Sequence, residues 1–155
     1  MTPAIDHLKR LGIAHRVHAY HHDPGTTAYG QEAADQLGLD PARVFKTLVI
    51  SLDGKTLVVG VVPVSRQLSL KALAKAAGGK KATMAEKAQA ERSTGYLLGG
   101  ISPVGQKRRL DTYINTSAER LDSLFVSAGR RGLEIELSPA DLQRVTTARF
   151  YHLVA

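Results

Sequence analysis

The sequence predicts an α+β fold in which a mixed, partly closed, barrel-like β-sheet is surrounded by helices. Three observations carry that expectation. Short β-rich runs alternate along the chain with amphipathic helical stretches, as in βα units. Asp53-Gly54 and Gly129-Arg130-Arg131-Gly132 each separate two β-rich runs, so antiparallel hairpins interrupt the alternation and the sheet is mixed. At 155 residues the chain has the length of one domain, expected to span 1–155, and can bury roughly 68–70% of its unfolded surface without staples.

Thr2 offers an N-cap oxygen and Pro3 a first-turn residue that needs no N–H partner. Ala4, Ile5, Leu8 and Leu11 then recur at helical spacing until Gly12 stops the helix. Residues 15–20 alternate loosely and favour a strand, and His21-His22-Asp23-Pro24-Gly25 is turn chemistry leading into a small, polar loop. A helix over 31–37 closes on Gly38, and Asp40-Pro41 opens a further helical turn. Residues 44–50 and 56–63 read as strands joined by Asp53-Gly54, a dipeptide that accepts positive φ at both turn positions. Ser69 caps a helix through Ala77, whose stripe is Leu70, Leu73, Ala74 and Ala77 and whose stop is Gly78-Gly79. A short strand over 80–84 precedes a helix through Ala90. Residues 95–105 hold four glycines and a proline among bulky apolar side chains, a backbone suited to bending closely around something. Strands are expected over 110–114, 124–127, 133–137 and 149–154, with Ser138-Pro139-Ala140-Asp141 opening a helix between the last two. There is no internal repeat.

Lys46 stands out, because it interrupts the apolar run Val44-Phe45-Lys46-Thr47-Leu48-Val49-Ile50. With Val44, Leu48 and Ile50 on its own face and Phe45, Thr47 and Val49 on the other, neither face is clearly solvated, so the strand is expected inside the sheet. Its ammonium either snorkels past the strand end or lines a pocket.

Composition excludes several chemistries. The absence of cysteine removes thiolate nucleophiles, disulfides and Cys-based zinc sites. His15, His18, His21 and His22 lie close in sequence, but His15 and His18 point to opposite faces of a strand and no helix supplies metalloprotease spacing, so no metal is expected. No G-x-S-x-G elbow places a serine nucleophile, and Gly78-Gly79-Lys80-Lys81 lacks the glycine and hydroxyl positions of a P-loop. The N-terminus has no basic segment followed by an apolar core, and no apolar run reaches membrane-spanning length, so a cytoplasmic protein without membrane contact is expected. The formal charge of +7 permits a polyanionic partner, and Lys107, Arg108, Arg130 and Arg131 form two Gly-flanked basic patches suited to phosphate. What remains is an embedded lysine, a Gly-rich loop able to offer backbone N–H groups, and basic patches, a combination able to hold a carbonyl and a phosphate together.

Four ordered blocks then resemble one family: Met1-Thr2-Pro3-Ala4-Ile5, Val44-Phe45-Lys46-Thr47-Leu48, Ser93-Thr94-Gly95-Tyr96 through Gly99-Gly100-Ile101-Ser102-Pro103 to Gly105-Gln106-Lys107, and Ser127-Ala128-Gly129-Arg130-Arg131-Gly132-Leu133. They resemble the YbaK family of aminoacyl-tRNA deacylases, relatives of the editing domain inserted in bacterial prolyl-tRNA synthetases, over nearly the whole chain. The resemblance implies a barrel-like mixed sheet with surrounding helices. It makes Lys46 the match to the family's indispensable lysine and Gly99 to Pro103 the match to its pocket loop, with Gly99 and Gly100 as backbone donors to a developing oxyanion. Tyr20, Tyr29, Thr47, Ile101, Ser102, Pro103, Ser127 and Glu134 would line the pocket. Tyr29 stands where Phe is common, and Glu134 where Asp occurs.

The activity implied is removal of cysteine from mischarged Cys-tRNA(Pro), the substrate's own thiol attacking its ester, with no cofactor and in a transient ternary complex with prolyl-tRNA synthetase. An alanine-specific deacylase of the same superfamily and a non-catalytic tRNA-binding module are the alternatives.

Overall fold

The computed structural model describes residues 1–155. Helix α1 (Pro3–Leu11) begins where Thr2 Oγ1 accepts the Ile5 N–H and ends at Gly12, which takes the left-handed conformation and returns its N–H to the last turn. Strand β1 (Arg16–Ala19) and a loop lead to α2 (Tyr29–Leu37), which starts two residues earlier than periodicity suggests. Strands β2 (Phe45–Leu52) and β3 (Thr56–Pro63) form the expected hairpin. Asp53 and Gly54 both have positive φ, and the Lys55 N–H closes the turn on the Leu52 carbonyl. There follow α3 (Leu70–Ala76), capped by Ser69 as expected, β4 (Ala82–Met84) and α4 (Lys87–Thr94), which runs four residues past Ala90 to a left-handed Gly95. The chain ends with β5 (Asp111–Asn115), a 3₁₀ turn at Thr116–Arg120 that the sequence did not announce, β6 (Leu124–Ser127), β7 (Leu133–Leu137), α5 (Pro139–Thr146) and β8 (Arg149–Tyr151). No helix is long and apolar enough to cross a membrane.

The α+β class and the mixed pairing match expectation, with the strands divided between two sheets that meet without closing. A five-stranded sheet runs β4-β2-β3-β5-β8, its β3–β5 and β5–β8 pairs parallel, and a three-stranded antiparallel sheet runs β1-β7-β6. They touch where Val44 bridges Phe125 and the Phe125 N–H donates to the Arg43 carbonyl at 2.9 Å. β2 is therefore an inner strand, with β3 on one edge and both β4 and this junction on the other. Its two faces serve two cores: Phe45 and Val49 join Val59, Val61 and Ile114, while Ile50 joins Val58, Val62 and Tyr113.

The smaller sheet is amphipathic in the way its alternation dictates. Val126 and Ile135 turn into the larger core, while Phe125, Ser127, Glu134 and Glu136 occupy the opposite face. Helix α2 packs Ala33 and Ala34 over Val44 and Phe125 on that polar face. The helix thus roofs a space whose floor is the polar face and whose wall is the start of β2.

Candidate active site

That space is a cavity of about 440 Å³, within the range of small-ligand sites. Lys46, Thr47, Tyr20, Tyr29, Gly99, Ile101, Ser127 and Glu134 all line it, so residues from six separate segments predicted to share a site do so. Ser127 and Glu134 are direct cross-strand partners, which puts them on one face by register alone. Ser127 Oγ is engaged by the Gly129 N–H at 3.1 Å and touches no base, so no activated serine is present.

Three polar groups in the cavity lack partners. Lys46 forms no ion pair, and burial lowers its pKa from the ordinary lysine value. Thr47 Oγ1 is buried with no hydrogen-bond partner, a state that costs about 1–3 kcal/mol unless a ligand or water relieves it. Glu134 is 5% exposed, its carboxyl makes no hydrogen bond, and burial pushes its pKa up to about 8. At neutral pH the carboxyl is mostly protonated, so the cavity holds one net positive charge, on Lys46, beside a neutral carboxylic acid able to donate.

The first turn of α2 adds donors that sequence reasoning missed. Thr27, Ala28, Tyr29, Gly30 and Gln31 line the cavity. Ala28 gives the helix no side-chain cap, and the N–H groups of Tyr29, Gly30 and Gln31 have no acceptor. The signal was available: a helix opening on Ala-Tyr-Gly with no Ser, Thr, Asp or Asn at its cap leaves its donors for something else. Gly30 also permits the close packing, since a Cβ there would lie 2.4 Å from Val64 Cγ1. The preceding loop is held down by Glu32, whose carboxylate accepts from His22 Nδ1 at 2.6 Å and from the Asp23 N–H at 2.8 Å. Although burial opposes its charge, those bonds keep Glu32 below the usual carboxylate range.

The Gly-rich loop departs in detail from its expected role. The Gly100 N–H donates to the Leu97 carbonyl at 2.9 Å, so it is committed to a turn and is not an oxyanion donor. Gly100 lies behind the cavity wall, where an added Cβ would sit 2.7 Å from Arg130 Cα. The free N–H groups on the cavity side belong to Gly99 and Ile101. Ser102 is fully buried, its Oγ accepting the Val104 N–H, and Pro103 is buried against a different cavity, so neither lines this one. Gly100→Ala is expected to cost about 1–3 kcal/mol through that backbone collision, read as a lowered denaturation midpoint at unchanged m-value.

Nor do the basic patches behave alike. Arg131 folds back over the cavity rim, donating from Nη2 to the Tyr29 hydroxyl at 2.8 Å and to the Leu98 carbonyl at 3.0 Å, with its guanidinium 4.1 Å from the Tyr29 ring centroid. It straps α2 to the Gly-rich loop, gripping a Tyr29 hydroxyl that a Phe there would lack. Arg130, Lys107 and Arg108 lie outside the cavity and are exposed. Two of the four clustered histidines are engaged elsewhere, His18 with Glu136 and His22 with Glu32, and no cluster of His, Asp and Glu converges to hold a metal.

Comparison with known proteins identifies this arrangement. EbsC of Enterococcus faecalis, provisionally named a Cys-tRNA(Pro)/Cys-tRNA(Cys) deacylase, is 41% identical over 120 residues, 77% of this chain and 73% of its own. The uncharacterised YwhH of Bacillus subtilis is 25% identical over 126 residues, 81% of this chain and 80% of its own. Among solved structures, one described as a candidate trans-editing enzyme for prolyl tRNA synthetase superposes with a TM-score of 0.86 at 22% identity, covering 99% of this chain and 95% of that one, which establishes a common fold. The model of the aminoacyl-tRNA editing domain matches residues 22–145, a span holding every residue that lines the cavity except Tyr20, and the chain belongs to that family.

Proposed function

We propose that the protein, acting as one editing domain over 1–155, removes cysteine from mischarged Cys-tRNA(Pro) in trans. The observation that carries this reading is a cavity with an unpaired cation, a neutral buried acid and free backbone donors, but no nucleophile beside a base. Such a site can orient and polarise an ester without attacking it. Cysteine supplies its own nucleophile: the thiol sulfur bonds to the ester carbonyl carbon, the bond from that carbon to the terminal ribose oxygen breaks, and the thiol proton ends on the ribose oxygen. The products are a cyclic thiolactone and free tRNA. Holding sulfur and carbonyl in near-attack geometry supplies much of the rate. Lys46, with the N–H groups of Gly99 and Ile101, would stabilise the developing oxyanion or anchor the terminal nucleotide.

The name borne by EbsC supports cysteine as the amino acid, and the similar solved structure is described as acting in trans for prolyl tRNA synthetase; a transient complex with that synthetase in the cytoplasm is part of the proposal. The test is release of radiolabelled amino acid from Cys-tRNA(Pro), Cys-tRNA(Cys), Ala-tRNA(Pro) and Pro-tRNA(Pro). Cysteine is expected to leave from the first two and proline to stay. Preferential loss of alanine would overturn the thiol-assisted route in favour of the neighbouring specificity.

A further inference from the structure

A second cavity, of about 100 Å³, opens on the far side of the Gly-rich loop. Pro103, Gly105 and Gln106 wall it, Arg108 and Arg109 rim it, and His7 of α1 faces them. None of the 10 residues lining it is acidic. Arg108, Arg109 and the neighbouring Arg10 enter no ion pair. Arg10 Nη2 lies 3.1 Å from His7 Nδ1, and because a guanidinium can only donate, Nδ1 is the acceptor and Nε2 carries the proton. Burial, with Arg10 and then Arg109, holds His7 below its ordinary pKa, and no carboxylate offsets them.

The framework is fixed. The Lys107 and Arg108 N–H groups donate to the carbonyls of Thr94 and Ser93 at 2.8 and 3.0 Å, and Gln106 Nε2 donates to the Ser102 carbonyl at 3.0 Å. Gly105 is pressed so close to α1 that a Cβ would lie 2.8 Å from the Pro3 carbonyl oxygen. Two guanidinium groups thus project from a pinned backbone beside an imidazole N–H, over a cavity too small for a nucleoside.

We propose that this cleft binds a backbone phosphate of the RNA whose aminoacylated end enters the main cavity. Planar guanidinium forks suit phosphate oxygens, and the absence of any lining acid leaves their charge uncompensated. The same loop lines both cavities: Ile101 faces the larger and Pro103 the smaller, a chain separation of at most ~7 Å. That adjacency is what makes one strand of RNA the proposed occupant of both. Arg131, committed to its strap, is not the phosphate contact. That the phosphate belongs to tRNA rests on the editing function, whereas the anion site itself does not.

The experiment measures binding of uncharged tRNA(Pro) across a salt series for the wild type and for Arg108→Ala/Arg109→Ala. In parallel, inorganic phosphate is titrated while the His7 ring resonances are followed. The arginine side chains make no hydrogen bond that the fold needs, so the variant should melt with the wild type. The expected result is weaker tRNA binding with a log–log salt slope flatter by roughly 1, and a phosphate-dependent His7 shift that the variant loses. An unchanged affinity and slope would overturn the proposal. A His7 shift on phosphate with tRNA binding unaffected would assign the cleft to a free anion and overturn the RNA assignment. Neither readout needs turnover, so a failure of the editing function would be seen separately, as absence of amino-acid release.

Discussion

Lys46→Met is expected to lower single-turnover deacylation of Cys-tRNA(Pro) by on the order of 10²–10³, the range for losing one preorganised electrostatic group. The same substitution should leave the melting temperature unchanged or raised. Methionine keeps an unbranched stem beside Gly30, and it removes a cation that burial disfavours and no carboxylate compensates. A structural lysine would show the reverse, with lost stability and activity falling only in step with unfolding. Lys46→Arg should fall comparably in activity despite keeping the charge. β2 is hydrogen-bonded on both edges and α2 packs down on it through Gly30, so a longer planar group cannot occupy the place of a compact ammonium. Full activity of the arginine variant would dismiss the anchoring role.

Lys46 was legible in the sequence because a charge within an apolar, inner-strand run is costly to desolvate unless a ligand meets it there. Local chemistry also gave the Thr2 and Ser69 caps, the Asp53-Gly54 turn and the alternating strand over 133–137. What stayed hidden depended on packing between distant segments. β8 was expected through Val154 but stops at Tyr151, because the Leu153 N–H goes to Asn115 Oδ1 and Val154 bridges Leu68. Gly100 was legible as a bend and illegible as a buried contact, since the Arg130 backbone that excludes a side chain there lies thirty positions away. Arg130 and Arg131 looked equivalent in the sequence. Only the fold brings Tyr29 and Leu98 within reach of one of them.

Glu134 was the least legible of the polar site residues from pattern alone. In Leu133-Glu134-Ile135-Glu136-Leu137 the two glutamates alternate with apolar residues and read as one solvated face. Packing separates them. Glu136 remains half-buried and accepts from Ser123 Oγ and His18, which outweigh its burial and hold its pKa down, while Glu134 lies enclosed and unpartnered. Two neighbours on one strand are thereby driven in opposite directions, the environment-set division of labour that marks functional carboxyls.

Glu134→Gln is therefore expected to change the pH dependence of the protein more than its activity at neutral pH. The folded carboxyl titrates near 8 and the unfolded one near 4.5. Between those values the native state holds a proton that the unfolded state has released, so wild-type stability falls as pH rises, by at most roughly 1.4 kcal/mol per pH unit, and levels off above about 8. Glutamine never ionises, so the melting temperature of the variant should exceed that of the wild type by a margin that widens from pH 5 to pH 8. The lowered Lys46 and His7 act with the opposite sign, but both are present in wild type and variant alike, so the difference between the two proteins isolates Glu134. Activity should separate the two proteins above pH 8. The substrate thiol gains thiolate as pH rises toward ~8.5, but in the wild type ionised Glu134 then places a negative charge where the oxyanion must form. A bell-shaped profile should become a plateau in the variant. Parallel melting curves and superimposable pH–rate profiles would instead mean that ionisation of Glu134 bears on neither stability nor the reaction.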